Sequence, residues 1–462
     1  MPRRTTFLFL SLAALTALIV WLAASLAQTR SSLYTYETRR DYAYDFRGTE
    51  ATIAELSLQR GRLLLPRGYG GNLTAFLKVE VDSSWRGRFF QPCIEIAGRN
   101  RAVIQYLEHG ASGIRYLNIS SLPPDESGGL TLTGTHAVLR DQPVALVTFR
   151  SPSPIGRRML VVAPHPDDAE IAAYGLYSDN PSAYVVTVTA GDAGPNNYDE
   201  VSLARAEQYL KKGQLRTWNS ITVPLLGGIP PEQTVNLGFF DATLSAMYRD
   251  RTRPVRGRFS QVSDIATFRR QNLSTLGRSL TGRSDWNSLV ANLEYLLRRI
   301  RPEIIVTPYP ALDKHPDHKL SSVALFEAIR RAGITRGRLY LYTNHFVLNA
   351  YYPYGAAGSA VTLPPDLGRP LPIDTLYSHP LSPEKQVDKL FALEAMNDLR
   401  LDTEWRSPAG AVDLAAAALK REIQGKEKSY FRRAVRSNEL FFVVEIAQLY
   451  NGKILREIQG RL

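Results

Sequence analysis

Two short stretches of the sequence combine histidine with aspartate at close spacing. The first is HPDD at residues 165–168, and the second is DKHPDH at residues 313–318. Neighbouring carboxylates repel each other unless a cation lies between them. Imidazole and carboxylate are ligands of zinc, and two histidines with one carboxylate also suit Fe(II). The two stretches together therefore predict a metal site.

The residues in these stretches could divide the work of a hydrolase. A catalytic zinc site uses three protein ligands, and His165, Asp168 and His318 would supply them. Asp167 is adjacent to Asp168 but would point in a different direction, so it could accept a proton from an attacking water. His315 lies three residues before His318, and at the start of a helix this spacing places both on one face. A Lewis acid, a general base and a general acid suffice to hydrolyse an amide or ester.

Each stretch follows an apolar run that is typical of a buried parallel strand. Residues 159–163 precede the first stretch, and residues 303–308 precede the second. Helical patterns alternate with such runs from Met159 onward, which predicts a doubly wound, mostly parallel α/β sheet of Rossmann-like type. Further predicted strands are residues 183–189, 220–226 and 338–343, and predicted helices are residues 202–213, 289–300 and 321–333. Ligands of such sheets bind beyond the carboxyl ends of the strands.

Residues 30–150 have a different pattern, in which turn signals separate short segments rich in β-branched and aromatic residues. The segments are residues 74–81, 92–98, 102–108, 114–120, 129–134 and 143–149. This pattern predicts an all-β sandwich or barrel. A linker at residues 151–158 then leads to a catalytic domain at residues 159–462.

The predicted catalytic domain is interrupted at about residues 227–286 by a segment rich in arginine. Its arginines are Arg249, Arg251, Arg253, Arg256, Arg258, Arg269, Arg270, Arg278 and Arg283. They form either a solvated surface or a rim for an anionic substrate or headgroup.

The N-terminus is predicted to engage a membrane. Arg3 and Arg4 precede residues 7–27, which contain no charge and as a helix would span about 31 Å. The basic residues favour a cytoplasmic N-terminus and a body on the other side of the membrane. Residues 1–29 are therefore predicted to be an uncleaved signal anchor in the inner membrane. The alternative is a cleaved signal peptide, with Ala27 ending the cleavage motif, and a periplasmic protein.

The net charge of +12 indicates polyanionic surroundings, such as a membrane surface or a phosphorylated glycan. No nucleic-acid-binding signature accompanies this charge, so we expect no nucleic-acid partner. The lone Cys93 excludes an intramolecular disulfide and a cysteine-rich zinc site. No oligomeric state follows from these patterns.

Together, PHPDDAE and DKHPDH resemble the motifs of the PIG-L/LmbE-like family of zinc-dependent de-N-acetylases. Weaker similarities are VTVTAGDAG after the second strand, RAE at residues 205–207 and NLGFFD at residues 236–241. The resemblance extends from Met159 to the C-terminus. It implies removal of the acetyl group from an N-acetylglucosamine-type sugar carried on a lipid, thiol or glycan.

The resemblance also implies residue roles. The zinc ligands would be His165, Asp168 and His318. Asp167 would be the general base. His315 would protonate the leaving amine, and Asp317 would orient His315. Arg205 would contact the sugar.

Three functions are compatible with the sequence. The first is a zinc hydrolase that deacetylates an N-acetylhexosamine of an envelope glycoconjugate, such as lipopolysaccharide core or a lipid-linked glycan. The tyrosines of residues 349–355 could then stack on sugar rings. The second is a non-catalytic glycan-binding or assembly protein with a vestigial metal site. The third is a phosphoester hydrolase, although such enzymes usually need two metals and more bridging carboxylates.

Overall fold

The computed structural model describes residues 34–70, 73–120, 122–150, 153–194, 204–349, 351–396 and 430–461, together with Thr16 and Ala17. Apart from Thr16 and Ala17, the predicted signal anchor at residues 1–29 lies outside the described residues. Within the described ranges, no helix has the length and apolarity needed to cross a membrane. The membrane segment therefore stays a prediction.

The described part of residues 51–149 forms an antiparallel sheet of nine strands in the order β5-β4-β7-β2-β1-β9-β3-β6, with β8 paired to β3. The strands are β1 Ala51–Gln59, β2 Arg62–Leu64, β3 Thr74–Ser83, β4 Cys93–Ala97, β5 Ala102–Tyr106, β6 Ser112–Asn118, β7 Gly129–Thr135, β8 Ala137–Val138 and β9 Gln142–Phe149. Only His136 separates β7 from β8, so the sheet curls back on itself to reach β3. The predicted all-β region is confirmed, although β1, β2 and β8 were missed.

Strand β3 shows how this sheet serves two hydrophobic cores. Leu77, Val79 and Val81 alternate with other residues and pack inside the curled sheet. Phe76 points to the opposite face and joins the core of the second sheet. The side-chain period of two residues in a strand produces this division.

In the described part of the chain, the second sheet has seven strands in the order β12-β11-β10-β13-β14-β16-β15. They are β10 Met159–Ala163, β11 Ala183–Thr189, β12 Thr234–Phe239, β13 Ile304–Pro308, β14 Arg338–Tyr342, β15 Thr375–Pro380 and β16 Asn438–Glu445. Strands β10 to β14 are parallel, whereas β15 and β16 are antiparallel. The predicted mostly parallel sheet is confirmed.

Helices cover both faces of this sheet. They are α1 Asp168–Ser178, α2 Arg205–Thr222, α3 Leu244–Arg249, α4 Ala266–Arg269, α5 Thr275–Arg278, α6 Trp286–Ile300, α7 Pro316–Ala332, α8 Pro383–Ala395, α9 Tyr430–Ala434 and α10 Gly452–Gln459. Apolar side chains of α6 and α7 pack into the core on one face, and those of α1 and α8 pack on the other. This two-sided covering is why the parallel strands are apolar throughout.

The predicted strand at residues 220–226 is wrong. Helix α2 continues to Thr222, and a short 3-10 helix follows at Val223–Gly227. Gly213, Thr217 and Ile221 are buried four residues apart, so the apolar pattern here has the helical period rather than that of a strand. The edge strand is β12, which lies inside the segment predicted as an insertion.

The arginine-rich segment beyond β12 contains the short helices α3, α4 and α5. Arg269 in this segment is buried and donates hydrogen bonds to the carbonyls of Leu237 and Thr281. Arg269 therefore supports β12 and does not belong to an exposed rim. The other arginines named above are exposed.

A hydrophobic core is shared between the two sheets. Phe76, Tyr116 and Phe149 of the first sheet belong to the same core as Leu376 and Phe442 of the second. Polar contacts reinforce the junction, where the Asn118 side-chain amide donates to the Val361 carbonyl at 2.9 Å and to Ser378 Oγ at 3.0 Å. The β-rich region and the parallel sheet therefore pack as one body.

Candidate active site

The predicted site residues lie at the carboxyl ends of neighbouring parallel strands. The turn with HPDD follows β10, and DKHPDH lies beyond β13. Asp241 follows β12, while Asn344 and His345 follow β14. This is the edge at which doubly wound sheets bind ligands.

The three predicted metal ligands form a tight triangle of donor atoms. Asp168 Oδ2 lies 3.2 Å from His165 Nδ1 and 3.1 Å from His318 Nε2. The two histidine nitrogens are 3.3 Å apart. Bonds of about 2.0–2.1 Å to a tetrahedral zinc ion place two donor atoms about 3.3 Å apart. The donor set and its spacing therefore fit zinc.

Outer carboxylates face the second nitrogen of each histidine. His318 Nδ1 is hydrogen bonded to Asp313 Oδ2 at 2.9 Å, which leaves Nε2 to face the triangle. His165 Nε2 lies 3.1 Å from Asp241 Oδ1, but the contact is too poorly aligned to be a hydrogen bond. Carboxylates in this position orient metal-binding histidines and raise their basicity. Asp168 is held by the Asn344 amide, which donates to its Oδ1 at 2.7 Å.

The electrostatics of the triangle favour positive charge. Burial lowers the pKa of His318, but Asp168 and Asp313 outweigh this effect and raise it to about 10. Burial raises the pKa of Asp168, yet His318 and His165 hold it well below its usual range. The buried site therefore stabilises a cation, as a metal-binding site must.

Asp167 has a different environment from its neighbour. Its φ is +121°, a conformation that costs a residue with a side chain about 1–3 kcal/mol. Arg216 holds this turn by donating from Nη2 to Asp167 Oδ2 at 3.0 Å and to the Pro166 carbonyl at 2.5 Å. Burial raises the pKa of Asp167 to about 7, although Arg216 opposes this shift. Asp167 therefore lies beside the donor triangle with its own cationic partner.

His315 precedes the first turn of α7 and faces the donor triangle. Its ring centroid lies 4.9 Å from that of His165 and 4.8 Å from that of His318. Asp317 Oδ2 accepts the Ala242 N–H at 2.7 Å and lies 3.6 Å from His165 Nε2. The structure thus brings His315 to the site and places Asp317 against His165. The role of Asp317 in orienting His315 stays a prediction.

Arg205 is exposed at the first residue of α2. Its guanidinium lies 5.7 Å from the Tyr209 ring centroid and 5.3 Å from that of Phe259. Arg216 is eleven residues further along the same helix, or about 16 Å along its axis. Arg205 is therefore well separated from the Arg216–Asp167 pair, and its predicted sugar contact stays a prediction.

Sequence reasoning missed several residues that contact the predicted set, namely Arg216, Asp241, Asp313, Asn344 and His345. Asp241 and Asp313 lie in the motifs NLGFFD and DKHPDH, and this was the only sequence feature that pointed to them as site residues. The His345 ring lies 4.9 Å from that of His318, and burial lowers the pKa of His345 to about 4. No sequence feature pointed to Arg216 as a site residue, apart from its position on a helix.

The tyrosines of residues 349–355 offer less aromatic surface than expected. Tyr352 and Tyr354 are buried in the core. Tyr351 is exposed, and the Arg433 guanidinium lies 5.4 Å from its ring centroid. Only Tyr351 of these three is free to stack on a sugar.

Helix α1, which begins at Asp168, is kinked at Ala173, where φ is −143°. A buried ion pair satisfies the backbone groups that the kink frees. Lys389 Nζ donates to the Ile171 carbonyl at 2.8 Å. The backbone N–H groups of Gly175 and Leu176 each donate to the Glu439 carboxylate at 2.9 Å. Lys389 and Glu439 are 2.8 Å apart. This pair therefore supports the helix that carries a predicted ligand.

Residues 160–329 match the model of the PIG-L family, described as GlcNAc-PI de-N-acetylase. This range contains all the predicted ligands and catalytic residues. A search of curated proteins finds no match.

Several solved structures are similar to part of the chain. The A40926 pseudoaglycone deacetylase Dbv21 is 19% identical, with 63% of this chain and 98% of that chain covered and a TM-score of 0.32. The zinc-inhibited form of teicoplanin deacetylase Orf2 is 17% identical, with 62% and 98% covered and a TM-score of 0.34. The 4-carboxy-2-hydroxymuconate hydratase GalB from Pseudomonas putida KT2440 is 11% identical, with 62% and 95% covered and a TM-score of 0.31.

The family match covers β10 to β13 and most of α7, and within this range His165, His315 and His318 lie close enough together to hold a metal ion. Residues 160–329 of the chain therefore form a domain that matches the PIG-L family of de-N-acetylases.

Proposed function

We propose that the protein removes the acetyl group from an N-acetylhexosamine of a cell-envelope glycoconjugate, outside the cytoplasm. The products are acetate and a free amino sugar. The observation that carries the proposal is the donor triangle of His165, Asp168 and His318, with separations of 3.1–3.3 Å. Asp167 and His315 flank this triangle, which supports the proposal that they act as general base and general acid beside the proposed metal ligands.

The three ligands would hold zinc, and the same donors suit Fe(II). When bound, the metal supplies Lewis-acid chemistry that polarises an amide carbonyl. His318 and Asp168 are buried, so their donor atoms exchange little solvent and are already positioned. Asp313 and Asn344 fix the orientation of these two side chains.

The remaining steps belong to the side chains of the chain itself. Asp167 would take a proton from the water that attacks the acetyl carbon. Arg216 fixes the Asp167 carboxylate and so sets the direction of this transfer. His315 would give a proton to the leaving nitrogen, which departs as the amine. Arg205, beside the stacked rings of Tyr209 and Phe259, is the proposed sugar contact.

A lipid-linked or surface glycan is the substrate class that best suits the N-terminus. The uncharged residues 7–27 support attachment to a membrane. Residues at the start of the range 34–70 lie close to the site, because Thr35 Oγ1 donates to the Leu348 carbonyl at 2.6 Å. Leu348 is three residues beyond His345, or at most about 11 Å of extended chain. An anchored protein would therefore hold its active site close to the membrane surface.

The test is release of free amine from N-acetylglucosamine-containing lipid-linked glycans by purified full-length protein. We expect release to stop with a chelator and to return on addition of zinc. His318→Ala should be inactive, whereas His136→Asn, a histidine change in the β-rich region, should remain active. Asn tolerates the positive φ of 58° at His136, so this control preserves the local backbone.

The same assay separates the alternatives. Binding of the glycan without amine release, with or without zinc, would support a glycan-binding protein and contradict the proposal. Phosphate release in place of amine would support a phosphoester hydrolase. Protease added to intact spheroplasts should digest the body of the chain, and full protection would contradict the proposed location.

A further inference from the structure

The β-rich region presents an exposed aromatic and basic loop at residues 83–90, here called the Trp85 loop. Trp85 is 69% exposed and Phe90 is 53% exposed. Arg86 and Arg88 are exposed in the same loop, and the Arg86 guanidinium lies 5.3 Å from the Trp85 ring centroid. Two large exposed aromatic rings next to two cations mark a surface for interaction.

The Trp85 loop is held in place by its backbone. Ser84 N–H donates to the His136 carbonyl, and Gly110 N–H donates to the Gly87 carbonyl, both at 2.9 Å. Gly87 is buried, and a Cβ there would lie 2.6 Å from the His136 carbonyl oxygen. The loop is therefore fixed to two neighbouring segments, and the Phe90 ring stacks on the His136 ring with centroids 5.4 Å apart.

The Trp85 loop lies close to Tyr34, the first residue of the described range 34–70. Tyr34 Oη accepts the His109 N–H at 3.0 Å and is hydrogen bonded to His109 Nδ1 at 2.9 Å. The next residue, Gly110, is the one bonded to Gly87 of the loop. Tyr34 follows Ala27, the last residue of the uncharged stretch, by seven residues, which span at most about 25 Å. A membrane that holds residues 7–27 would therefore lie within reach of the loop.

We propose that the Trp85 loop binds the surface of a membrane with anionic lipid headgroups. Trp85 and Phe90 would enter the headgroup level, where aromatic rings are favoured. Arg86 and Arg88 would pair with lipid phosphates. This interaction surface goes beyond the proposed deacetylation and involves none of the active-site residues.

A second exposed apolar surface provides a contrast. Trp218, Leu226 and Phe391 are exposed where the end of α2 meets α8. On α8, however, the exposed charged residues Glu384 and Asp388 are acidic. Anionic lipid would be repelled there and attracted to the Trp85 loop, so charge distinguishes the two surfaces.

The two tryptophans allow a matched experiment on the full-length protein. The protein is reconstituted into vesicles that contain phosphatidylglycerol and lipids brominated high on the acyl chain, which quench nearby tryptophan emission. We compare the parent with Trp85→Phe and Trp218→Phe, in which all other tryptophans, including Trp21 in the uncharged stretch, are unchanged. Trp85→Phe should remove part of the quenched emission, and Trp218→Phe should remove only unquenched emission.

Charge reversal tests the basic half of the loop. Arg86→Glu combined with Arg88→Glu should lower the quenching of Trp85 in phosphatidylglycerol vesicles to the level seen in phosphatidylcholine vesicles. The proposal is overturned if Trp218→Phe removes quenched emission and Trp85→Phe does not, if neither variant does, or if the charge reversal has no effect. A shift of Trp85 emission by soluble glycans in place of vesicles would likewise overturn it.

Discussion

The two HPD loops of the active site share three residue types and a place at the sheet edge, but their backbones differ. In the first loop, Asp167 has a φ of +121° and α1 begins one residue later. In the second loop, α7 begins at Pro316, whose ring fixes the φ that a first helical turn needs. One loop is a strained turn, and the other is an ordinary helix start.

This difference separates the roles of equivalent residues. In the first loop, His165 and Asp168 both belong to the donor triangle, with donor atoms 3.2 Å apart. In the second loop only His318 belongs to it, and His315 faces the triangle as an additional imidazole. The same three-residue spacing thus gives two predicted ligands in the first loop, and one predicted ligand with a candidate acid in the second. We attribute this difference in roles to the different backbone conformations of the two loops.

The largest effect should come from Asp168→Asn, which removes a charged ligand from the first loop. We expect the variant to lose its zinc and to lose more activity than the ~10²–10⁴-fold typical of a missing proton-transfer group. Zinc content by elemental analysis and initial rates of amine release measure both effects. A variant that keeps stoichiometric zinc would contradict the ligand assignment.

Asp167→Asn should show that the neighbouring aspartate does other work. Zinc should stay bound, while activity falls about 10²–10⁴-fold because proton transfer from water is lost. His315→Gln should behave in the same way. If Asp167→Asn is the variant without zinc and Asp168→Asn keeps it, the two roles are reversed.

Lys389→Met tests the buried ion pair that supports α1, the helix that begins in the first loop. Leaving Glu439 charged and unpaired in a buried site should cost about 3–5 kcal/mol of unfolding free energy. Combining it with Glu439→Gln should recover part of this loss, because no buried charge remains. Denaturant unfolding of the zinc-loaded proteins measures the difference. Equal stability of Lys389→Met and the parent would show that the pair does not support α1.

Asp313→Ala, a change in the second loop, should have a smaller effect than the changes described above. It removes the acceptor that orients His318, and we expect zinc affinity to fall about 10–100-fold. Asp241→Ala should cost less, because its contact with His165 is poorly aligned. Competition with a chelator of known affinity compares the two. If Asp241→Ala lowers zinc affinity more than Asp313→Ala does, then Asp241 orients His165 more strongly than Asp313 orients His318.

The sequence predicted the elements whose signals are local. The buried parallel strands read as continuous apolar runs, and β10 and β13 begin and end within one residue of the prediction. Because both are parallel and adjacent, their following loops had to meet, and the triangle of His165, Asp168 and His318 follows from that fact. The residue types that bind metals, together with the rule that ligands bind at the carboxyl ends of parallel strands, were sufficient to predict that these residues meet.

The remaining parts depend on contacts that no local pattern records. Arg216 reaches Asp167 from the middle of a helix that was predicted only for its first half. The strained φ of Asp167 arises from its surroundings, since HPDD contains no glycine. Strands β15 and β16 are separated in the chain by residues 381–437, and their pairing is set by the shared core rather than by a turn. These features needed the tertiary structure.

The core shared by the two sheets has a consequence for how this protein can be divided and recombined. Phe76, Tyr116 and Phe149 would be stripped from one side of the parallel sheet if the chain were cut at residues 151–158. We therefore expect the β-rich region and the parallel sheet to unfold together, in a single thermal transition. A PIG-L domain excised from this chain would expose the apolar face that now packs against the β-rich region. To transfer the domain into another protein, the β-rich region and the parallel-sheet region would have to be moved together.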